Sequence, residues 1–425
     1  MVENKFKSVG QKVYYKKLKN GLSIYFLPDA NKKSYYVNLV TFYGSNDLEY
    51  KIQDTNEKFK DPLGLAHYLE HKVFEMPDET DPFVFFGQSG TDVNAGTSYY
   101  STKYYMWGSN NFKENLQYFI RMIFNPNFTE NNIIKERGII EEEIKMYDDD
   151  PGWQIEDACR KNLFHNWYIK EKIAGTIESI ALINEEMLNN AYKAFYQPNN
   201  MALAISGNFD KEEILNLLEN HPILNMRKDN KNVIKKEISE PETVVKEYQL
   251  LKGNIVIPKL RYSFKIKNDV FTVKDSIRTS LYLNCIFSCL FGSSSDFYEQ
   301  VYHDDLTTGY YHDHNRYGNY YILNIEAESD RADLFKELVD DTLKKINITE
   351  KDLERYKKIL IASEIRISER IDVMVNSLVE DLVIYGKPYY DRIDIIKSLN
   401  YNDLKLIINE LDVSNNTFIL MLPKK

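Results

Sequence analysis

Two histidines four positions apart, with a glutamate directly before the second, are the residues of this 425-residue chain best suited to chemistry. His67, Glu70 and His71 lie in the segment GLAHYLEHKVFE, residues 64–75. On a helix, positions i and i+4 lie on one face, with Cβ atoms about 5–6 Å apart. The two imidazoles would then converge on one point, as they do in helical zinc sites. Glu70 would border the same face, where a carboxylate can accept a proton from a water molecule activated by the metal.

Two plainer interpretations share this spacing: an ordinary helix that contains two histidines, and a structural zinc site. A structural zinc usually takes four protein ligands, often cysteines. Cys159, Cys285 and Cys289 all lie far from the histidine pair in the sequence. Cys285 and Cys289 fall in the apolar run LYLNCIFSCLF, so we expect them to be core residues. A catalytic zinc needs a third protein ligand and an open position instead.

An acidic segment, ERGIIEEEIKMY, offers carboxylates for that third position. With Glu136 as the origin and about 100° per residue, Glu143 lies about 20° away, whereas Glu141 and Glu142 lie on the opposite side. The side that carries Glu136 and Glu143 is predicted to be the apolar face, and its other members are Ile133, Ile139, Ile140, Ile144 and Tyr147. A buried carboxylate is unfavourable alone, so each of the two should pair with a basic group or bind a metal.

The elements that must position these residues occur in the same order in both halves of the chain. Strand-like segments such as SIYFLP and YYVNLVTFYG come first, helices follow, and NMALAISGNF and NTFILMLP close the two halves. FTENNIIKERGIIEEEI matches ITEKDLERYKKILIASEI at an offset of 220, from Thr129 to Thr349, each a good helix N-cap. The pattern predicts an α+β fold of two homologous α/β-sandwich domains in tandem, each with a mainly antiparallel sheet packed by helices.

The predicted domains are residues 1–220 and 246–425, and the polar, proline-punctuated residues 221–245 are the predicted linker. The offset of 220 maps Glu136 onto Tyr356 and Glu143 onto Ser363, so the second half lacks the polar constellation. Any metal chemistry is therefore expected in the first half.

The bulk composition limits partners and location. The net charge of −10 argues against nucleic acid as the main partner. No apolar run is long enough to span a bilayer, and no secretory signal is visible, so we expect a cytoplasmic protein without a membrane span. Three sparse cysteines do not form a disulfide framework.

With these residues in view, the chain resembles the pitrilysin/insulinase family of zinc peptidases, whose inverted zinc motif matches His67-Tyr68-Leu69-Glu70-His71. ERGIIEEEIKMYDDDP and GTDVNAGTSYYSTKYY are also similar to family segments. The resemblance implies one zinc per chain and assigns the roles as follows: His67, His71 and Glu143 as zinc ligands, Glu70 as general base, Glu136 as a carboxylate that orients a ligand, and Asn94 and Ala95 on the strand that pairs with the peptide substrate.

The same resemblance implies a chamber that closes like a clam shell and contains four such domains, of which this chain supplies two. Family members also use an arginine and a nearby tyrosine from the half without zinc to hold the substrate. In FYEQVYHDDLTTGYY, Tyr302 stands at the arginine position, while Tyr310 or Tyr311 can serve as the tyrosine. We therefore expect a second, related chain that supplies the arginine, and a heterodimer is favoured over a homodimer. A different geometry that uses Arg316 is the alternative.

The expected function is that of a zinc metalloendopeptidase subunit that cleaves peptides or unfolded segments. A non-catalytic scaffold or peptide-binding subunit of such an assembly is the alternative from another class.

Overall fold

The computed structural model describes residues 1–6, 10–53, 57–226 and 232–424. Its strands are β1 (Val2–Phe6), β2 (Gln11–Lys17), β3 (Ser23–Pro28), β4 (Tyr35–Thr41), β5 (Glu49–Ile52), β6 (Lys58–Lys60), β7 (Asp92–Thr97), β8 (Thr102–Gly108), β9 (Met201–Gly207), β10 (Val233–Lys235), β11 (Tyr248–Gly253), β12 (Lys259–Lys267), β13 (Gly309–Tyr317), β14 (Tyr320–Glu328) and β15 (Asn416–Pro423). Its helices are α1 (Leu65–Lys72), α2 (Pro82–Gln88), α3 (Phe112–Phe124), α4 (Glu130–Asp149), α5 (Pro151–Leu163), α6 (Ile177–Ala181), α7 (Glu185–Phe195), α8 (Lys211–Glu219), α9 (Pro222–Met226), α10 (Ser276–Phe291), α11 (Asp296–His303), α12 (Ala332–Lys344), α13 (Glu350–Glu369), α14 (Ile371–Tyr385), α15 (Arg392–Lys397) and α16 (Tyr401–Glu410).

The first compact unit comprises Met1–Lys145, Glu171–Glu237 and Ile365–Asp391. Its main sheet has the order β1-β2-β3-β9-β4-β8-β7, in which β3 and β9 are parallel and the other neighbours are antiparallel. Every residue of β4 and β9 is buried, as expected for apolar strands that are covered on both faces. One of those covers is α14, which packs on both strands.

The second compact unit comprises Met146–Lys170, Ile238–Glu364 and Arg392–Lys425. Its sheet has the order β11-β15-β12-β14-β13, again with one parallel pair, β11 and β15. Helix α5, from the first half of the chain, packs on β15 and β12. Cys285 is buried and Cys289 is half-buried in the core beside this sheet, as their apolar surroundings predicted.

The two units repeat one topology, which confirms the predicted fold class. The order β3-β9-β4-β8-β7 corresponds to β11-β15-β12-β14-β13. Helices α3 and α4 recur 220 positions later as α12 and α13, with unchanged lengths. Thr129 and Thr349 each cap the first turn of these long helices, since each hydroxyl accepts a hydrogen bond from the backbone N–H three residues ahead.

Two helices belong to the compact unit that is formed mainly by the other half of the chain. Domains with contiguous boundaries do not include this exchange. α5 follows the first half yet packs on the second sheet, and α14 follows α13 yet packs on the first. Part of the predicted linker, residues 221–245, forms α9 and β10, while residues 227–231 lie outside the described residues. β10 pairs with β5, and the Lys235 ammonium donates to the Asp47 carboxylate at 2.7 Å.

In the described ranges, no helix combines the length and the apolar character needed to cross a membrane.

Candidate metal centre

The short helix α1 carries His67, Glu70 and His71. Gly64 begins it in the left-handed region, at φ 87°, and a Cβ there would lie 2.5 Å from the Ala174 carbonyl oxygen. Only glycine fits this close approach without strain. His67 and Glu70 are both buried, and the centroids of the two imidazole rings lie 4.7 Å apart. The i, i+4 spacing therefore brings the rings together as predicted.

The long helix α4 carries the two carboxylates that face α1. Ile133, Ile140 and Ile144 are buried on this helix, as the helical angles predicted. The prediction was wrong for Ile139, whose side chain is 51% exposed. Ile139 lines an open cavity beside α1, and within the described part of the chain no element covers this part of the predicted apolar face.

Glu143 meets both histidines. Its Oε1 lies 3.6 Å from Nε2 of His67, and its Oε2 lies 3.6 Å from Nε2 of His71. One ligand atom from each of the three residues lies within 4.8 Å of the others. These separations exceed a hydrogen bond but are close to the roughly 3.3 Å between two ligands of a tetrahedral zinc with bonds of about 2.0–2.1 Å. Two imidazoles and a carboxylate also form a donor set that suits zinc, so the residues present fit this metal.

Glu136 acts on this cluster through His71. Its Oε1 lies 2.9 Å from Nδ1 of His71, which orients the ring and leaves Nε2 directed at Glu143. Burial lowers the pKa of His71, but the hydrogen bond that its ring donates to Glu136 and the charges of Glu70, Glu136 and Glu143 outweigh this effect, and the pKa is raised. Burial raises the pKa of Glu136, but its contacts with His71 outweigh this effect and lower it. His71 and Glu136 therefore each stabilise the charged form of the other.

Glu70 faces an open cavity of about 510 Å³ beside the cluster. The hydroxyl of Thr97 donates to Oε2 of Glu70 at 2.5 Å. Asn94 and Ala95 line the same cavity as Glu70 and His71, and they lie on β7, an edge strand of the first sheet. The structure therefore brings the two predicted substrate-binding residues of the first half to the cluster.

The remaining predicted residue, Tyr310, lies on β13 in the second unit. Its hydroxyl donates to the Phe291 carbonyl oxygen at 2.6 Å, and its ring packs against the core of that unit. Tyr302 is 82% exposed and Tyr311 is 62% exposed. Arg316 lies on the same strand as Tyr310.

Three neighbours of the cluster were not found from the sequence: Thr97, Tyr68 and Lys72. Thr97 lies on a strand, and no sequence spacing relates it to the helix of Glu70. Lys72 is fully buried, which is rare for lysine and therefore not expected from residue type. Tyr68 was expected only as part of the motif.

Two family models match the chain. Insulinase (Peptidase family M16) covers residues 56–181, and Peptidase M16 inactive domain covers residues 183–360. The first match contains all the residues of the cluster, and the second covers most of the half without them.

Several known proteins are similar over most of this chain. A Bacillus subtilis (strain 168) protein, named an uncharacterized zinc protease, YmfH, is 35% identical over 70% of this chain and 69% of its own length. The crystal structure of an M16-like peptidase from Alicyclobacillus acidocaldarius has a TM-score of 0.91 at 25% identity, over 97% of this chain and 98% of that one. The crystal structure of pitrilysin has the same fold, with a TM-score of 0.76 at 17% identity, over 97% of this chain but 45% of pitrilysin.

Proposed function

The chain belongs to the insulinase family of peptidases, M16, and from this premise we propose that it is the catalytic chain of a zinc-dependent endopeptidase. The observation that carries the proposal is the convergence of His67, His71 and Glu143 beside Glu70. These three side chains would hold one zinc ion per chain. Bound zinc supplies a Lewis acid that polarises a carbonyl group and makes a nearby water molecule more acidic.

Glu70 is the proposed general base. Its carboxylate lies on the same turn of α1 as His71 and borders the cavity that is open to substrate. It accepts a proton from the attacking water, whose oxygen adds to the carbonyl carbon of the scissile peptide bond. It then delivers that proton to the leaving nitrogen as the C–N bond breaks. Thr97 donates a hydrogen bond to Oε2 of Glu70, which keeps the carboxylate in one orientation during both transfers.

The proposed substrates are extended peptides or unfolded segments. β7 is an edge strand of its sheet, and Asn94 and Ala95 on it border the cavity beside Glu70. An extended chain that adds to this edge gains main-chain hydrogen bonds, which require little from the peptide's sequence. Most strands of a folded protein already have their main-chain groups paired, so extended peptides and unfolded segments are the expected substrates.

The proposed assembly contains two chains. Nearly the whole of this chain matches 45% of pitrilysin, so one copy corresponds to about half of that protein. Tyr302 stands at the position where the family motif has arginine, which supports a second, related chain that supplies the arginine. Native mass spectrometry of the chain, alone and with candidate partners, tests this. A stable homodimer with full activity would contradict the heterodimer.

The chemical proposal is tested with Glu70→Gln. We expect zinc content equal to that of the parent and loss of peptide cleavage, because the amide cannot accept the proton. Cleavage by the parent should also stop with a chelator and return with zinc. Substantial cleavage by the variant would reject Glu70 as the base. Bound zinc without cleavage by the parent, with its partner present, would favour the non-catalytic subunit instead.

A further inference from the structure

Each histidine of the cluster is followed directly by a residue that ties α1 to the start of α4. Tyr68 follows His67, and its hydroxyl donates to the carbonyl oxygen of Ile133. Lys72 follows His71, and its ammonium donates to the carbonyl oxygen of Asn132 at 3.0 Å. The two acceptors are neighbours in the first turn of α4. We propose that Tyr68 and Lys72 form a clamp that sets the position of α4 against α1 and thereby makes the metal site. Both are positioning residues, and the inference rests on the proposed metal binding.

Lys72 is the more unusual member of the clamp. Its side chain has 0% exposure, and a buried ammonium is strongly unfavourable unless it is paired and hydrogen-bonded. Besides the Asn132 carbonyl it contacts Glu75 at 3.1 Å, and its Nζ lies 4.0 Å from Oε2 of Glu136. The other oxygen of Glu136 is the one that meets Nδ1 of His71. Lys72 therefore holds both the backbone of α4 and the carboxylate that orients His71.

Charge balance supplies a second reason for a cation at this position. Glu70, Glu75, Glu136 and Glu143 bring four carboxylates close to α1, and Lys72 contacts two of them. The repulsion between these carboxylates would separate α1 from α4 if nothing opposed it. The buried ammonium of Lys72 lies between the two helices and offsets this repulsion. It does so without occupying the side of α1 that faces the cavity.

Tyr68 fixes the same junction with a neutral group. Its ring is fully buried, and its hydroxyl reaches α4 at Ile133. Glu143 lies roughly ten residues, or about 15 Å, further along that helix. A small tilt of α4 at its start therefore becomes a larger displacement of Glu143. The clamp acts where a small restraint has the greatest effect on the third ligand.

The test compares zinc affinity in Tyr68→Phe and Lys72→Met with the full-length parent, by competition with a chromophoric chelator. We expect each variant to bind zinc on the order of tenfold more weakly, because groups that support ligands typically change metal affinity 10–100-fold. The visible spectrum of the cobalt-loaded protein should also change, since it reports ligand geometry. Neither readout depends on peptide cleavage.

The chain offers a matched control for each variant. In Tyr192→Phe, the lost hydroxyl donates to another helix carbonyl, that of Ile123, at 2.9 Å. In Lys265→Met, the lost ammonium is fully buried and contacts Glu240 and the Leu163 carbonyl oxygen, both at 2.7 Å. Both controls should lower the melting temperature and leave zinc affinity and the cobalt spectrum unchanged.

The outcomes separate the clamp from the proposed function. If the parent binds no zinc and no cobalt, the proposed function fails and the clamp fails with it. If the parent binds zinc and both clamp variants keep its affinity and cobalt spectrum, only the clamp is rejected, and Tyr68 and Lys72 are ordinary stabilising residues. Should Lys72→Met fail to fold, Tyr68→Phe decides alone, because it removes a single oxygen atom.

Discussion

At the scale of single residues, Glu136 is placed to influence metal binding although it lies outside the proposed ligand set. It contacts Nδ1 of His71, and this contact both orients the ring and makes Nε2 a stronger ligand for a metal ion. We expect Glu136→Gln to weaken zinc binding by about 10–100-fold, because a neutral amide polarises the imidazole less than a carboxylate does. The measurement is chelator competition on the purified protein.

A matched control for this prediction lies on the same helix. Glu142 is exposed, and its carboxylate accepts a hydrogen bond from Lys145 at 2.7 Å. Exposed ion pairs contribute little to stability, so Glu142→Gln should leave both zinc affinity and folding unchanged. An equal loss of affinity in the two variants would mean that overall charge, not the contact with His71, sets the affinity.

Asp61 provides a prediction about pH. Burial raises the pKa of Asp61 to about 7, although the nearby Tyr50 hydroxyl acts to lower it. In the unfolded chain an aspartate titrates near pH 4. Between these values the folded state holds a proton that the unfolded state has released, so the free energy of unfolding falls as the pH rises. In Asp61→Asn this loss should disappear, and the variant should gain on the order of 2 kcal/mol over the parent between pH 5 and pH 8.

Chemical denaturation of both proteins at the two pH values measures this gain. Other groups titrate in both proteins alike, so the difference between variant and parent isolates Asp61. A difference that is the same at pH 5 and pH 8 would show that Asp61 is already ionised in the folded protein at pH 5.

The sequence predicted contacts between single residues where both residues of a pair lie on the same helix. His67 with His71, and Glu136 with Glu143, follow from helical spacing alone, and the structure brings all four together. The contact between Thr97 and Glu70 joins a strand to a helix, and no spacing encodes it. The exposure of Ile139 was missed because helical angles say which side a residue faces but not whether another element covers that side.

At the scale of elements, the start of α1 decides where the histidines lie. Gly64 has φ 87°, and a Cβ on it would lie 2.5 Å from the Ala174 carbonyl oxygen and 3.0 Å from the Ile180 side chain. We expect Gly64→Ala to lower the free energy of unfolding by about 2–5 kcal/mol, from about 1–2 kcal/mol of backbone strain and 1–3 kcal/mol of overpacking. Zinc affinity should fall as well, because α1 must move.

Gly90 provides a control that separates backbone strain from overpacking. It also has a positive φ, 65°, but a Cβ on it would meet nothing within 4 Å. Gly90→Ala should therefore show the backbone strain alone and leave zinc binding intact. Equal losses of stability in both variants, measured by urea unfolding, would rule out the steric contact at Gly64.

Elements with strong internal patterns were predicted well, and those that depend on partners were not. The apolar segments SIYFLP and NTFILMLP form β3 and β15 as expected. β10 was missed because it lies in a polar, charged stretch and exists through its pairing with β5. A three-residue strand contains too little pattern to be recognised without its neighbour.

At the scale of the whole molecule, the duplication could be found from the sequence but the helix exchange could not. The offset of 220 relates α3 to α12 and α4 to α13 without change of length. It also relates α5 to α14, yet each of these two helices packs on the sheet of the unit formed mainly by the other half of the chain. An apolar helix face encodes burial and not the identity of the sheet that buries it.

This exchange makes the stability of the first sheet depend on residues far along the chain. Leu378 on α14 is 1% exposed and packs with Val375 against a cluster that includes Tyr36, Val40 and Ala204 of the first unit. Leu378→Ala should cost about 2–5 kcal/mol, as buried leucine truncations do. Hydrogen exchange should then show the loss of protection in β4 and β9, whose backbones lie beneath α14, and much less in β12 and β14.

Leu404→Ala is the matched variant in the second unit. Leu404 is also fully buried and also lies in the second half of the chain, but it belongs to the core of the second unit. Its truncation removes the same atoms and should expose β12 and β14 to exchange while β4 and β9 stay protected. If both variants lose protection in the same strands, the chain unfolds as one cooperative body, and the exchanged helices do not confer separate stabilities on the two sheets.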